Sequence, residues 1–391
     1  MLPGVLGFQR GTIFLIDPSK RCEPSAFLFT RAVKFFLVNG YRVGNDIDRC
    51  DAILVNTCCV TEDKIAASKA ALDFARARGH GKRIVLFGCM ASLPIPGVKR
   101  EDLICIGPKN VGELDAHFPH HTSVEDILVN QLSPDLYEPG QGLGRGDYFI
   151  MIGQGCSNQC SYCNIKRSKG EVRSEAAGAI VAQIQSGLSL GVQEFALLAD
   201  DCASYGYDLG TDLVQLIERL FSAGAGFGLK LGYVHPRFLL THFAGLMRIF
   251  ETGRIRYVNI PVQSGSQRIL KLMNRNYPID RVIDVVRQMR EVAPDTIFCT
   301  HLLVNFPTES QDDFLLSLRV ADDFDEVLFL HYSDNQGTVA AGLLPKVPEP
   351  EVRRRLEMAS DYANHYKHGR GAVIEDFNCD IPYNLRGAIR G

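Results

Sequence analysis

The sequence predicts an α/β protein: an N-terminal open parallel sheet with helices on its faces, followed by a partial (βα)6 barrel. Three observations predict this. Short apolar runs of strand length alternate with longer helical patterns along most of the chain. A stretch rich in Gly and Pro interrupts the alternation at 131–146. Beyond that break the strand–helix unit repeats six times, enough for an open or partial barrel.

The elements follow in order. GTIFLI (11–16), AILVN (52–56) and RIVLFG (83–88) read as strands. Helical patterns fill 25–39, closed by Gly40, and 62–78, closed by Gly79. After the linker, strands are expected at 148–153, 193–198, 229–234, 257–261, 296–304 and 326–331. Helices are expected at 175–190, 211–222, 236–250, 279–292 and 309–322, with a last one over 349–367. The domains are therefore 1–130, a linker at 131–146, the barrel at 147–347, and a C-terminal helix with a short tail at 348–391.

Composition narrows the class. The 391 residues are 46% apolar and 22% charged, a globular profile too long for one ordinary domain. A net charge of −3 supplies no general basic field for nucleic acid. The N-terminus has no charged segment leading into a long apolar one, and no apolar run approaches the roughly 18 residues of a membrane span. The expectation is a cytoplasmic monomer with no membrane partner. Twelve cysteines in a reducing compartment point to metal or redox chemistry rather than disulfides.

The stretch GCSNQCSYCNIK places Cys156, Cys160 and Cys163 in one loop after the first barrel strand. Zinc sites ordinarily want four ligands in two spaced pairs, and no fourth lies nearby. Three thiolates suit three irons of a 4Fe–4S cluster and leave the fourth iron open. A second set comes from the first domain: Cys22 in SKRCEPS, Cys58 in NTCCVTE and Cys89 in FGCMAS. Cys58 and Cys89 each follow a predicted strand, and Cys22 lies between the first strand and its helix. In an open α/β sheet the carboxyl ends of strands form the ligand crevice. The competing reading is ordinary buried cysteine. Cys59 would point away from Cys58 if the strand continued, so it is left out. Cys50, Cys105, Cys299 and Cys379 are isolated and read as packing. At the barrel mouth the C-terminal strand ends bring up Asp200, Asp201, His235, Gln263 to Ser266 and His301 to Asn305.

The loop resembles that of radical S-adenosylmethionine (SAM) enzymes, including the aromatic Tyr162 before the last cysteine. NTCCVTE, GCM, GCSNQCSYC, SYGYD, IPVQSGSQRILKLMNRNY and YSDNQGTVAA together resemble the radical SAM methylthiotransferase family over about residues 11–359. The resemblance implies two 4Fe–4S clusters and SAM, the latter both radical source and methyl donor. It implies a 5′-deoxyadenosyl radical acting on a substrate carbon, which then takes a sulfur or methylthio group from the auxiliary cluster. Catalytic residues are then Cys156, Cys160, Cys163 and Asp201. Cofactor contacts are Tyr162, Ser174, Asp200, Gln263, Ser264 and Ser266. Metal ligands are Cys22, Cys58 and Cys89 with the barrel triad. A flavodoxin- or ferredoxin-like reductant is implied as partner.

The sequence departs from the family pattern at several places. Lys166 replaces a proline, Lys169 an arginine, Glu175 an arginine and His301 an aspartate. FPTE stands for FPGE at 306–309. Too little chain follows residue 359 for the family's usual C-terminal TRAM barrel. The sequence therefore favours a peptide or biosynthetic small molecule as substrate. A tRNA adenosine is the alternative, and a non-catalytic iron–sulfur electron-transfer or scaffold protein is a third reading.

Overall fold

The computed structural model describes residues 10–18, 22–132, 143, 147–366 and 372–374. Two compact units result. The first takes the described residues up to 132, with Arg167–Lys169 counted in it, and the second takes the rest. The linker expected at 131–146 and the tail cysteine Cys379 fall largely outside the described residues.

The first unit is a five-stranded, wholly parallel sheet. Its strands are β1 (Thr12–Ile16), β2 (Arg42–Gly44), β3 (Ala52–Thr57), β4 (Arg83–Gly88) and β5 (Leu103–Ile106), in the order β2-β1-β3-β4-β5. Every residue of β3 is buried, which is why AILVN reads as an unbroken apolar run. The helix Glu23–Val38 packs with Phe27, Phe29, Phe35 and Phe36 almost fully buried. The helix Glu62–Arg78 starts at Thr61, whose hydroxyl accepts from the Lys64 amide, and ends at Gly79. β2 and β5 lie at the sheet edges and were not expected from the sequence.

The second unit carries a seven-stranded parallel sheet. Its members are β6 (Tyr148–Met151), β9 (Glu194–Leu198), β10 (Gly228–Tyr233), β11 (Ile255–Asn259), β12 (Ile297–Val304), β13 (Glu326–His331) and β14 (Ala372–Ile374). They run in the order β14-β13-β12-β11-β10-β9-β6. A short antiparallel ribbon, β7 (Gly153–Gln154) with β8 (Arg173–Ser174), closes the base of the cysteine loop. The six expected barrel strands are all present. Alternate residues (Phe195, Leu197, Leu229, Leu231, Val258, Phe298, Leu302, Val327, Phe329) join one core with helix residues such as Ile180, Ile184, Leu216 and Phe250. The intervening positions, among them Asn259, Cys299 and His301, fall on the other face of the sheet.

Two expectations need correction. The helix expected over 236–250 is two helices, Pro236–Thr241 and Phe243–Glu251. His242 leaves the helical region (φ −122, ψ 25), held by stacking on Phe238 at 3.9 Å and a 2.9 Å bond with the Thr241 hydroxyl. The tail also contributes β14, paired in parallel with β13. No helix among the described residues is long and apolar enough to cross a membrane.

Gly88 ends β4 at φ +92, and a Cβ there would sit 2.6 Å from the Thr57 carbonyl oxygen. Gly88→Ala should therefore destabilise the protein by about 2 kcal/mol, read as a lower denaturant midpoint.

Candidate functional site

The loop from Gly155 to Cys163 is gripped from three directions. From the end of β9, Asp200 accepts the Gly155 amide at 2.8 Å and Asp201 accepts the Asn158 side-chain amide at 2.7 Å. Ser204 accepts the Ser157 amide and donates to Asp201 at 2.7 Å. From the turn after the helix Gln267–Leu272, Met273 accepts the Ser161 amide, Leu272 accepts its hydroxyl, and Asn274 donates to the Gln159 carbonyl. From the segment after β13, Ala340 donates to the Ser161 carbonyl and Asn335 to that of Tyr162. Gly155 itself sits at φ +79, where a Cβ would come within 2.3 Å of the Glu171 carbonyl oxygen.

Each sulfur of the loop has its own donors. Cys156 accepts from the Asn158 backbone and side-chain amides at 3.4 and 3.3 Å. Cys163 accepts from the Ile165 amide at 3.3 Å. Cys160 accepts from the Arg275 guanidinium at 3.4 Å. All three are free thiols. Burial, then the charge of Asp201, pushes the Cys156 thiol up to about 11, and burial, then Cys160, pushes Cys163 up to about 12.

Asp201 is also the N-cap of the turn Cys202–Ser204 and accepts the His235 amide. Burial raises its pKa, and burial, with Arg275 and Arg237 nearby, holds the His235 imidazole down to about 2. Burial alone takes His301 down to about 4, so the ring is neutral, and it shares a 2.9 Å bond with Asn259.

Other expected site residues are placed less simply. Gln263 adopts φ +68 and bridges in parallel to Leu302 of β12. Ser264 is fully buried against the Ser317 hydroxyl, and Ser266 caps the helix Gln267–Leu272 while donating to Asp313. These are the hydrogen bonds that the two hydroxyls, expected among the cofactor contacts, make in this structure. Ser174 accepts the Gly206 amide. Cys202 is fully buried, with its thiol toward the Leu197 carbonyl, and packs in the core.

The first unit gathers its own thiols. Cys22 caps the N-terminus of the helix Glu23–Val38. Cys58 follows β3, and Ser68 of the helix Glu62–Arg78 both donates to its carbonyl and accepts its amide. Cys89 opens the turn Cys89–Ser92 just past Gly88. Burial pushes the Cys22 thiol up to about 12, the Lys169 charge opposes that rise, and the charges of Cys58 and Cys89 add to it. Cys59 packs with Cys89 and Leu93. Its pKa is raised first by a hydrogen bond with Cys89 and then by burial. The strand stops at Thr57, so the alternation used to set Cys59 aside no longer applies.

Both triads fit a four-iron cluster by donor type. The thiols are soft and in no disulfide; Cys58 and Cys89 are buried and the other four half-buried. No group of three or more His, Cys, Asp or Glu among the described residues is arranged to hold a single metal ion. Sequence reasoning missed Arg275, Asn158 and Ser204. Arg275 lay inside the quoted stretch MNRNY, but one arginine there looks like surface charge.

Residues 150–321 match the model of the radical SAM superfamily, and residues 22–102 that of the uncharacterized protein family UPF0004. The chain is 30% identical to a tRNA-2-methylthio-N(6)-dimethylallyladenosine synthase of Syntrophobacter fumaroxidans, over 88% of this chain and 79% of that protein. It is 29% identical to the ribosomal protein uS12 methylthiotransferase RimO of Thermotoga petrophila, over 81% of this chain and 76% of the other. The fold is similar to that of the radical SAM methyltransferase TsrM of Kitasatospora setae, with a TM-score of 0.52 at 13% identity, covering 90% and 78% of the two chains. It is also similar to the cobalamin-dependent SAM radical enzyme OxsB, with a TM-score of 0.53 at 11% identity, covering 91% and 56%.

Iron bound at Cys22 or Cys163 would have to displace protons from thiols pushed up to about 12. Iron affinity of the apoprotein should therefore climb with rising pH toward about 12, with protons released on binding, as read by calorimetry in two buffers. The same shifts stabilise the empty fold below the ordinary thiol value of about 8.5. That contribution is lost as pH rises toward about 12, so the thermal midpoint of the apoprotein should fall over that window.

Proposed function

This chain belongs to the radical SAM methylthiotransferase family, and on that footing we propose that it uses two 4Fe–4S clusters to place a sulfur or methylthio group on a carbon of a peptide or compact small molecule. The observation that carries the reading is the pair of thiol triads, one in each parallel-sheet unit, each in loops that follow strands. Cys156, Cys160 and Cys163 would hold one cluster and Cys22, Cys58 and Cys89 the other. When bound, the barrel cluster supplies the electron that splits SAM into methionine and a 5′-deoxyadenosyl radical.

The chain's own residues prepare that chemistry. Asp200, Asp201 and Ser204 fix the loop, so the thiols need little reorganisation on loading. Asn158, Ile165 and Arg275 supply donors that favour thiolate over thiol once iron arrives. In the proposed reaction a substrate C–H bond gives way to a C–S bond. The hydrogen leaves in 5′-deoxyadenosine, the sulfur comes from the auxiliary site, and a second SAM supplies the methyl group. A flavodoxin- or ferredoxin-like protein is the proposed one-electron donor.

A peptide or small molecule is supported by charge. Glu175 is exposed directly after β8, where the family pattern carries a cation, and the net charge of −3 adds no compensating field. A tRNA adenosine is the second reading, favoured by the Syntrophobacter relative, whose name states a tRNA product. Mass spectrometry of peptides, small metabolites and tRNA nucleosides from cells with and without the gene decides between them. A methylthio mark missing from one tRNA nucleoside and restored by purified enzyme would replace the first reading with the second.

Anaerobically reconstituted protein should carry about eight irons. Replacing either triad with alanine should leave about half of that. Loss of all iron from either variant would contradict two independent sites. With dithionite and SAM, the variant lacking Cys22, Cys58 and Cys89 should still release 5′-deoxyadenosine but transfer no sulfur. Loss of that release, with the barrel cluster intact, would contradict the division of labour.

A further inference from the structure

Arg275 is the least expected residue around the cysteine loop. It is 4% exposed and belongs to no helix or strand. A guanidinium keeps its charge at any accessible pH, so burying it requires compensation. Its hydrogen bonds engage all three nitrogens of the fork. Nε donates to the Tyr277 hydroxyl at 3.1 Å, and one terminal nitrogen donates to the Pro261 carbonyl at 2.6 Å. The other reaches the Cys160 sulfur at 3.4 Å and the Tyr162 hydroxyl at 3.5 Å. None of these acceptors is a carboxylate. Two phenols and a carbonyl satisfy geometry but bring no negative charge at neutral pH. Cys160 is the one partner that becomes an anion, and it does so when it binds iron.

The three sulfurs are therefore unequal. Cys156 and Cys163 accept from neutral amides. Cys156 also has the Asp201 carboxylate 3.9 Å from its sulfur. Among the described residues, Cys160 alone of the three accepts from a cation. The loop thus has a negative group beside one ligand and a positive group beside another.

A second tether fixes the guanidinium. The Tyr277 hydroxyl, which accepts from Arg275, donates in turn to the Val262 carbonyl at 2.7 Å. Pro261 and Val262 lead into the Gln263 bridge to β12. Arg275 is thereby anchored to the barrel wall at the level of the strand ends, with little freedom to leave the sulfur.

We infer that Arg275 is a positioning residue that sets the reduction potential of the barrel cluster through a charged hydrogen bond to the Cys160 thiolate. The inference rests on the reading that Cys156, Cys160 and Cys163 hold that cluster. On reduction the cluster gains one electron from the flavodoxin- or ferredoxin-class donor, and no bond to the protein forms or breaks. A fixed cation and an N–H···S hydrogen bond stabilise the more negative state, so they raise the potential. Without them the same donor would reduce the cluster less completely.

The test is a redox titration of the full chain loaded with iron and sulfide, followed by the EPR signal that changes on adding SAM. Arg275→Met should lower the equilibrium constant for reduction at least tenfold, which is about 59 mV for one electron. Arg275→Lys keeps the charge but loses the fork, and its potential should fall between the two. A purely structural role would alter stability or iron content and leave the potential of the remaining clusters in place. An unchanged potential in loaded Arg275→Met overturns the inference. If Arg275→Met does not take up the cluster, Arg275→Lys decides: a lowered potential supports the inference and an unaltered one overturns it. Absence of any SAM-responsive signal in the wild-type chain is a different result, because it removes the reading on which the inference stands.

Discussion

Three thiols must be held close together, out of water, in a form that can give up its protons to iron. Burial alone opposes this, since it raises thiol pKa values and makes thiolates costly. The structure answers at the Gly155–Cys163 loop with directed donors: amides of Asn158 and Ile165, and the guanidinium of Arg275. Those donors work only if the loop keeps its shape. Its shape is maintained by Asp200 and Asp201 from one strand end, by the turn at Leu272–Asn274, and by the segment around Asn335–Ala340. Much of the barrel can be read as the scaffold that delivers these three grips to one loop.

In the proposed auxiliary site the first unit would meet the same constraint by different means. Its thiols come from three loops rather than one, so the sheet itself must bring them together. A parallel sheet does this because its strand ends lie side by side. Cys22 caps a sixteen-residue helix, where the positive end of the helix dipole favours an anion. Ser68 binds both backbone groups of Cys58, and the positive φ of Gly88 turns the chain immediately before Cys89. Cys59 packs beside Cys89, which gives this unit a fourth thiol near the triad.

The fold was largely legible because strands buried on both faces leave a strong mark. AILVN and RIVLFG are apolar at nearly every position, and the helices between them end at Gly40 and Gly79. What escaped were elements without that mark. β2 and β14 have three residues each, and β2 is mostly exposed, so neither generates a period. The break at His242 depends on stacking against Phe238, a tertiary contact inside an unbroken apolar pattern. At the site, cysteine spacing singled out Cys156, Cys160 and Cys163, and position after expected strands singled out Cys22, Cys58 and Cys89. The hydroxyls of Ser264 and Ser266 turn to Ser317 and Asp313, partners 53 and 47 residues away that a sequence pattern does not reveal. Arg275 escaped for the complementary reason. Its long side chain travels from a polar-looking turn to a sulfur 115 residues away in sequence.

The central claim is that the barrel triad holds a cluster with one iron open to SAM. The most direct measurement is the EPR spectrum of dithionite-reduced protein carrying alanine at Cys22, Cys58 and Cys89, recorded before and after SAM is added. Coordination of SAM at the open iron predicts a clear change in the g-values and line shape of the reduced cluster. A spectrum that stays the same at saturating SAM, from protein that demonstrably carries a reduced 4Fe–4S cluster, would contradict the account.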